Sequence, residues 1–420
     1  MTTQLARRLG TGDAVVIGLG SMLGAGVFVA IAPAARAAGA GLLIGLAIAA
    51  VVAYCNADSS ARLAALYPES GGTYIYGRER LGSFWGYLAG WAFVVGKLAS
   101  CAAIAATFAA YAAPGQRRLV AVAAVLVVTA LNVAGVKKST AATRVIVALV
   151  MLVLGVVVVA CLGGGSASTH HLEPFPGGSA HGILQAAALI FFAFAGYARI
   201  ATLGEEVRDP AQTIPRAIPI ALATTLAIYA IVFVAALAAV GSRGLASSTF
   251  PLRTAVEAGS LHSLAPVVRV GAALAAFGSL LALVLGISRT VLAMARDGHL
   301  PTALSAVHNQ LPRRAELAVG LVVAVLAATL DLRNAVGFSS FGVLLYYAIA
   351  NASAWTLWSR RIVPALGFAG CLVLAANLPL ADVLSGTGVV LVGCIGYAAT
   401  RTRNRRRPGV ESGASSSTQG

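Results

Sequence analysis

The sequence predicts an all-α integral membrane protein of twelve transmembrane helices, arranged as a five-plus-five inverted repeat with discontinuous helices 1 and 6. Three observations predict it. Of the 420 residues, 59% are hydrophobic and only 10% are charged, whereas soluble domains carry about 25% charged residues. Apolar runs near the ~20 residues of a bilayer span recur along nearly the whole chain. Two of these runs are interrupted by glycine in their middle.

The apolar runs define the organisation of the chain. The predicted spans are 13–37, 41–63, 82–113, 118–136, 140–163, 181–205, 215–241, 265–294, 315–330, 333–358, 363–376 and 381–399. A short N-terminal tail (1–12) precedes the first repeat (13–163) and the second repeat (164–360). Spans 11 and 12 (361–400) and a basic, disordered tail (401–420) come after them.

The basic residues indicate the orientation of the chain. An even number of spans puts both termini on one side, and most of the Lys and Arg residues fall on that side, including the run RTRNRRR. The positive-inside rule therefore places both termini in the cytoplasm and the protein in the cytoplasmic membrane. The net charge of +16 is explained by this distribution, so the lipid bilayer is the predicted partner and nucleic acid is not.

Groups for catalysis or metal binding are missing from the predicted spans. The five cysteines lie in apolar segments without close spacing, which is typical of small packing residues. No nucleophile–base pair or set of metal ligands falls within a span. The sequence therefore predicts no enzyme activity, no catalytic residue, no metal site and no cofactor.

The first span contains GLGSMLGAGVF (18–28), with four glycines in eleven residues. Each glycine costs a helix about 1 kcal/mol relative to alanine, and irregular backbone at membrane depth survives only against protein or a water-filled cavity. Close helix packing through small residues is the alternative explanation. A second interrupted segment at 191–210 favours the cavity, because paired breaks in two halves are typical of transporters with inverted repeats.

Four segments together resemble the amino acid–polyamine–organocation permease superfamily, and in particular its bacterial amino acid permeases. They come one after another in the order of that family, from about residue 10 to 310: IGLGSMLGAGVFV, YPESGGTYIYGRERLGSFWGYLAGW, FFAFAGYARIATLGEEVRDPAQTIPRAI and SRTVLAMARDGHLP. The resemblance implies transport of amino acids by alternating access. It places the substrate between the unwound parts of helices 1 and 6.

The resemblance also implies roles for the residues at the two breaks. The substrate carboxylate would meet the backbone N–H groups of Leu23, Gly24, Ala25 and Gly26. The substrate ammonium would meet backbone carbonyls near Ser21 and Met22 and around Phe194 and Ala195. Phe194 and Tyr197 would help to form the gate and the side-chain pocket, with ordinary helix packing as the alternative. The predicted substrate-binding residues are Ser21, Met22, Leu23, Gly24, Ala25, Gly26, Phe194, Ala195, Gly196 and Tyr197.

Once the basic residues near the span ends are assigned to one side of the membrane or the other, two cations remain inside predicted spans. Charge there is costly and marks a residue as a functional candidate. Lys97 lies in span 3, while the lysine that many similar permeases carry in span 5 is missing here, where Val150 or a neighbour stands. Lys97 is therefore either a substitute coupling cation or a structural side chain. Arg199 is the second coupling candidate. It holds either a substrate carboxylate or an ion pair with Glu205 or Glu206, and we favour the ion pair.

The end of span 6 and the loop after span 8 carry the predicted cytoplasmic gate, whose ion pairs form in one state and break in the other. Its members are Glu205, Glu206, Arg208, Arg296 and Asp297, and a solvated loop cluster is the plainer alternative.

The predicted function is secondary active transport of amino acids, with small neutral ones favoured and protons as a second partner. Two observations argue against lysine, arginine and polyamines: similar permeases of the cationic type often carry an acid where Ala198 stands, and Lys97 and Arg199 add positive charge. The alternatives are an exchanger or facilitator without proton coupling, and a permease for amines or acidic amino acids. The sequence leaves the oligomeric state open.

Overall fold

The structure is a computed structural model, and it describes residues 9–202, 204–308, 311–329, 335–357 and 361–405. Within these ranges the chain is helical, and its only extended pairings are two isolated bridges, Leu9 with Val207 and His308 with Leu311. The ends of the predicted tails, residues 1–8 and 406–420, lie outside the described residues.

Seventeen α-helices succeed one another along the described chain, and they are numbered here in order. They are α1 (Thr11–Met22), α2 (Ala25–Val29), α3 (Ile31–Ala38), α4 (Leu42–Leu66), α5 (Thr73–Leu81), α6 (Ser83–Ala112), α7 (Arg117–Val133), α8 (Val136–Gly163), α9 (Ala180–Phe194), α10 (Ala198–Ala201), α11 (Pro210–Ser247), α12 (Pro251–Glu257), α13 (Ala265–Arg296), α14 (Arg313–Thr329), α15 (Ala335–Trp355), α16 (Ile362–Ala376) and α17 (Leu380–Arg405).

Nine helical stretches in the described ranges are long and apolar enough to cross a membrane. The predicted spans 118–136, 315–330 and 363–376 correspond to α7, α14 and α16, which have 17, 17 and 15 residues. These three are shorter than the ~20 residues of a typical span. The chain is thus a multi-pass helical membrane protein, and the count of twelve stays a prediction.

Helices α1, α6, α9 and α13 are largely buried. Helix α13 packs against α1 and α6, while α9 packs against α3, α4 and α15. Helix α1 also packs against the turn Ala195–Tyr197 that follows α9. Helix α17 lies at the periphery and is mostly exposed. It continues to Arg405, so the first residues of the predicted disordered tail are helical.

The two ends of the described chain approach the same end of the bundle. The Leu9 N–H donates to the Glu206 carbonyl at 3.0 Å. At the other end of the chain, the Tyr397 ring lies 5.9 Å from that of His299. The contact of Leu9 with Glu206 and that of Tyr397 with His299 lie at the same end of the bundle, because Glu205 binds Arg296, three residues before His299. We call this the Glu205 end of the bundle.

Candidate functional site

The first predicted break is present as a change of backbone direction between α1 and α2. Helix α1 ends at Met22, and Gly24 has the non-helical angles φ −76° and ψ −133°. A Cβ on Gly24 would lie 1.5 Å from the Ser279 hydroxyl oxygen and 2.8 Å from the Ala275 carbonyl oxygen. The glycine is therefore required by the close approach of α13, which lies directly against the broken backbone.

The second break lies between α9 and α10. Helix α9 ends at Phe194, and Ala195–Tyr197 form one turn of 3-10 helix. A Cβ on Gly196 would lie 2.6 Å from the carbonyl carbon of Ser21. The two breaks therefore touch each other, and glycine is the residue that allows it.

Side chains from two other helices bind the carbonyls that the breaks leave without helical partners. The Ser279 hydroxyl on α13 is 3.1 Å from the Gly20 carbonyl oxygen and 3.4 Å from that of Ser21. The Tyr229 hydroxyl on α11 donates to the Met22 carbonyl and lies 3.2 Å from that of Ala193. Tyr229 thus links the two breaks through a single hydroxyl.

Sequence reasoning missed both Ser279 and Tyr229. Each lies in an apolar run, ALAAFGSLLALV or LAIYAIVFV, and a buried hydroxyl in such a run needs a partner. That signal marks the residue, but it does not say which distant carbonyl the hydroxyl will bind.

A small cavity of about 10 Å³ lies where the breaks meet, which is room for about one water molecule. The predicted site residues Ser21, Met22, Gly26 and Gly196 line it, and Lys97 of α6 reaches into it. The remaining lining residues are Ser100, Ile104, Phe192, Ala193, Ser279 and Leu283. The structure therefore describes a closed site, with one cationic side chain and no carboxylate among its described lining residues.

Lys97 is 2% exposed. Its ammonium nitrogen lies 3.5 Å from the carbonyl oxygen of Ala195, at the end of α9. Val150, in the predicted span 5 region, is buried in α8. The cation of the site is thus supplied by α6.

Among the N–H groups predicted to meet a carboxylate, that of Leu23 already donates to the Leu19 carbonyl at 2.7 Å. Gly24, Ala25 and Gly26 stand at the start of α2, where a helix leaves N–H groups without an intrahelical acceptor. In this conformation, three of the four N–H groups predicted to bind the substrate carboxylate are therefore left for it, those of Gly24, Ala25 and Gly26.

The predicted gate aromatics, Phe194 and Tyr197, are not among the described residues that line the cavity. The Phe194 ring lies 5.2 Å from the Tyr229 ring, and the Tyr197 ring stacks on Tyr347 of α15 at 5.0 Å. Phe192 is the aromatic residue that lines the cavity. This face of α9 differs from the predicted one because successive helical residues point about 100° apart.

Ion pairs at the Glu205 end join the segment after α10 to α13. The Glu205 carboxylate is 2.9 Å from the Arg296 guanidinium and also accepts from the Ser70 N–H at 3.3 Å. Asp297 binds Arg78 and the Tyr74 hydroxyl of α5. The Arg208 side chain is exposed and makes no ion pair with the described residues.

A buried group of charges lies at the same end. Arg289 of α13 binds Glu206 and also lies 2.9 Å from Glu316 of α14, and its side chain is 0% exposed. Sequence reasoning missed Arg289 and Glu316. Both are charged residues close to the end of a predicted span, and charged side chains at such positions are usually solvated.

Arg199 does not form the expected ion pair with Glu205 or Glu206 among the described side chains. Both carboxylates bind arginines of α13, and the Arg199 guanidinium donates to the Thr202 hydroxyl at 2.9 Å. A Cβ on Gly286 would lie 2.8 Å from Arg199 Cδ, so Arg199 is buried against α13. The expected pairing was based on helical spacing, whereas α10 ends at Ala201.

Outside the membrane-spanning helices, the Glu205 end also holds a perturbed histidine. Burial lowers the pKa of His299, Arg78 lowers it further, and Asp297 opposes the shift. The Tyr74 hydroxyl lies 2.8 Å from His299 Nδ1. Burial and its contact with Asp297 raise the pKa of Tyr74 well above the usual range.

Comparison with known proteins identifies the family. The profile described as amino acid permease matches residues 13–378. The chain belongs to the amino acid permease family. It is 61% identical over 417 residues to an uncharacterized transporter of Mycobacterium tuberculosis (strain ATCC 25618 / H37Rv), covering 98% of this chain and 95% of the relative.

Two relatives with named substrates are more distant. The branched-chain amino acid permease of Bacillus subtilis (strain 168) is 26% identical over 433 residues, covering 94% of this chain and 92% of the relative. The vacuolar cationic amino acid transporter 2 of Arabidopsis thaliana is 30% identical over 390 residues, covering 86% of this chain and 61% of the relative. This permease is therefore a transporter of a family whose members differ in substrate.

Proposed function

We propose that this permease is a secondary active transporter that moves amino acids, preferably small neutral ones, across the cytoplasmic membrane by alternating access and in exchange with or together with protons. The observation that carries the proposal is the contact between the two helix breaks. Their free helix ends face a common cavity and are bound there by side-chain donors.

The chemistry of the breaks fits a zwitterion. The start of α2 offers N–H groups to a carboxylate, and the carbonyls of Ser21, Met22, Phe194 and Ala195 offer acceptors to an ammonium. Hydroxyl and ammonium donors of the protein already bind three of these carbonyls. A substrate ammonium exchanges with these donors at little cost, since one hydrogen bond replaces another.

The cavity lining favours a small neutral side chain. Met22, Ile104, Phe192 and Leu283 are apolar, and the described lining residues carry no carboxylate that would bind a cationic side chain. Lys97 favours one alternative in particular, an acidic amino acid whose second carboxylate pairs with the Lys97 ammonium. An exchanger or facilitator without proton coupling is the other alternative.

The proposed topology is twelve spans, with spans 1–5 and 6–10 as inverted repeats and both termini in the cytoplasm. The approach of Leu9 and Tyr397 to the same end supports an even number of crossings. In this arrangement the Glu205 end is cytoplasmic. Its ion pairs Glu205–Arg296 and Arg78–Asp297 would close the inner side and break when the carrier opens inward.

The test is transport by the purified protein. Thermal stabilisation by each common amino acid identifies ligands by mass action, and proteoliposomes then measure uptake of the labelled ligand with and without a pH gradient. We expect stabilisation and uptake with a small neutral amino acid, and faster transport under a pH gradient. Stabilisation by aspartate or glutamate alone would support the acidic alternative, and no response to any amino acid would contradict the proposal.

A further inference from the structure

Lys97 holds an unusual position for a buried cation. Its ammonium approaches a backbone carbonyl, that of Ala195, and no ion pair of Lys97 is formed among the described residues. The side chain is 2% exposed and extends from the middle of α6 into the cavity at the breaks. It thus places a full positive charge at the carbonyl end of α9, where the helix dipole is negative.

The same carbonyl is one of the acceptors proposed for the substrate ammonium, so a role for Lys97 in substrate binding rests on the proposed function. The cavity has about 10 Å³ of free space, and two like charges in a desolvated site repel each other strongly. The site therefore has room for one ammonium group at a time.

We propose that the Lys97 ammonium is a built-in competitor of the substrate: it occupies the Ala195 carbonyl in the empty carrier and leaves it when an amino acid binds. On leaving, the ammonium transfers one proton to water and becomes a neutral amine. The substrate ammonium then makes the hydrogen bond that Lys97 made before. Proton and amino acid exclude each other from the site, and the carrier exchanges one for the other.

The surroundings of Lys97 favour competition over the opposite role, which would be binding of the substrate carboxylate. The Lys97 ammonium is directed at a carbonyl at the end of α9. A substrate ammonium can bind this acceptor, whereas a substrate carboxylate, which is an acceptor itself, cannot.

The charged and titratable groups near Lys97 are few. Cys101, a buried thiol, lies one turn further along α6. At the level of the cavity, α1, α9 and α13 contribute only uncharged side chains. Arg199 on α10 and Arg289 on α13 lie towards the Glu205 end, and Tyr346 lies against Phe93 of α6.

The experiment measures amino acid affinity against pH in the full-length protein, by calorimetry in detergent. The probe is the amino acid that gives the largest thermal stabilisation, and the pH range runs from about 6 to 8.5, below the loss of its own ammonium proton. We expect the wild-type affinity to rise with pH, by up to about tenfold per unit for one released proton.

Three variants assign the effect to Lys97. Lys97→Met is expected to bind more tightly than wild type at the lower pH values and to show no pH dependence. Lys97→Arg retains a cation that does not lose its proton, so we expect weak binding throughout. Cys101→Ser removes the neighbouring titratable group and is expected to keep the wild-type pH profile.

The outcomes separate the inference from the proposed function. An affinity that falls as the pH rises, and that is weakened in Lys97→Met, would assign Lys97 to the substrate carboxylate and overturn the inference. Equal pH dependence in wild type and Lys97→Met would overturn it as well, while amino acid binding itself upheld the proposed function. Binding of no amino acid by any of these proteins would overturn both.

Discussion

The region of the helix breaks and the Glu205 end both contact α13 but are held together by different interactions. At the breaks, single hydroxyl and ammonium donors bind backbone carbonyls around a cavity whose described lining carries no carboxylate. At the Glu205 end, arginine and carboxylate side chains form ion pairs between the segment after α10, α13 and α14.

This difference indicates two roles. Hydrogen bonds from neutral donors to carbonyls contribute about 1 kcal/mol each and are easily replaced by those of a substrate. Removing one partner of a buried ion pair costs about 3–5 kcal/mol of stability, because the other charge stays buried without compensation. The breaks are thus suited to exchanging ligands, and the Glu205 end is suited to holding one conformation closed.

The largest effect is expected at the Glu205 end, from Arg289→Met. This change leaves the carboxylates of Glu206 and Glu316 buried without their cation, and we expect a loss of about 3–5 kcal/mol in the free energy of unfolding. Thermal unfolding in detergent measures it.

A combined variant provides the control for Arg289→Met. Glu206→Gln and Glu316→Gln added to Arg289→Met remove the unpaired charges and should restore most of the stability. A single variant as stable as wild type would show that this group of charges does not hold the end together.

The next effect concerns the first break. In Gly24→Ala, the new Cβ would lie 1.5 Å from the Ser279 hydroxyl oxygen, so we expect a loss of about 1–3 kcal/mol together with loss of amino acid uptake. Gly12→Ala, in the preceding helix α1, is the control, because a Cβ there has no atom within 4 Å. Equal uptake by the two variants would contradict the packing of α13 against the break.

A smaller effect is expected from Tyr229→Phe, which removes the hydroxyl shared by the Met22 and Ala193 carbonyls. We expect a loss of about 1–2 kcal/mol and weaker substrate binding, measured by thermal shift. Tyr111→Phe is the control, since the Tyr111 hydroxyl is buried without a hydrogen-bond partner in the described structure. If both variants bind substrate as wild type does, the Tyr229 hydroxyl has no part in the site.

The smallest effect is expected from pH at the Glu205 end. Burial lowers the pKa of His299 in the folded protein, so folding favours the neutral imidazole. Stability from this residue is present above about pH 6.5 and is lost as the pH falls through the lowered pKa. We expect acidification to destabilise wild type by less than about 1 kcal/mol more than His299→Gln. An equal fall in melting temperature on acidification for wild type and His299→Gln would contradict this prediction.

Much of the backbone arrangement was predictable from the sequence. Glycine in an apolar run marks a place where the helix is weak or where another chain segment approaches closely, and Gly24 and Gly196 do both. Lys97 was also recognisable, because a charge inside a span needs a reason.

The partners of these residues were not predictable. The hydrogen bonds of Tyr229 and Ser279 reach 207 and 259 residues back along the chain, and no local pattern encodes such contacts. For Arg199 the sequence predicted the wrong partner. Glu205 and Glu206 are close to Arg199 in the sequence, but they form ion pairs with arginines of α13. Periodicity shows which residues are buried, and only the packing of the helices decides what each one binds.

The proposed function requires that a transported amino acid occupies the cavity between the two breaks. Labelling of Ser100→Cys, whose side chain lines that cavity, by a thiol reagent in proteoliposomes with and without the substrate measures this occupancy. We predict that the transported amino acid slows the labelling several-fold and that an amino acid that is not transported leaves it unchanged. Labelling that is equally fast in the presence of the transported amino acid would place the substrate elsewhere and contradict the proposed site.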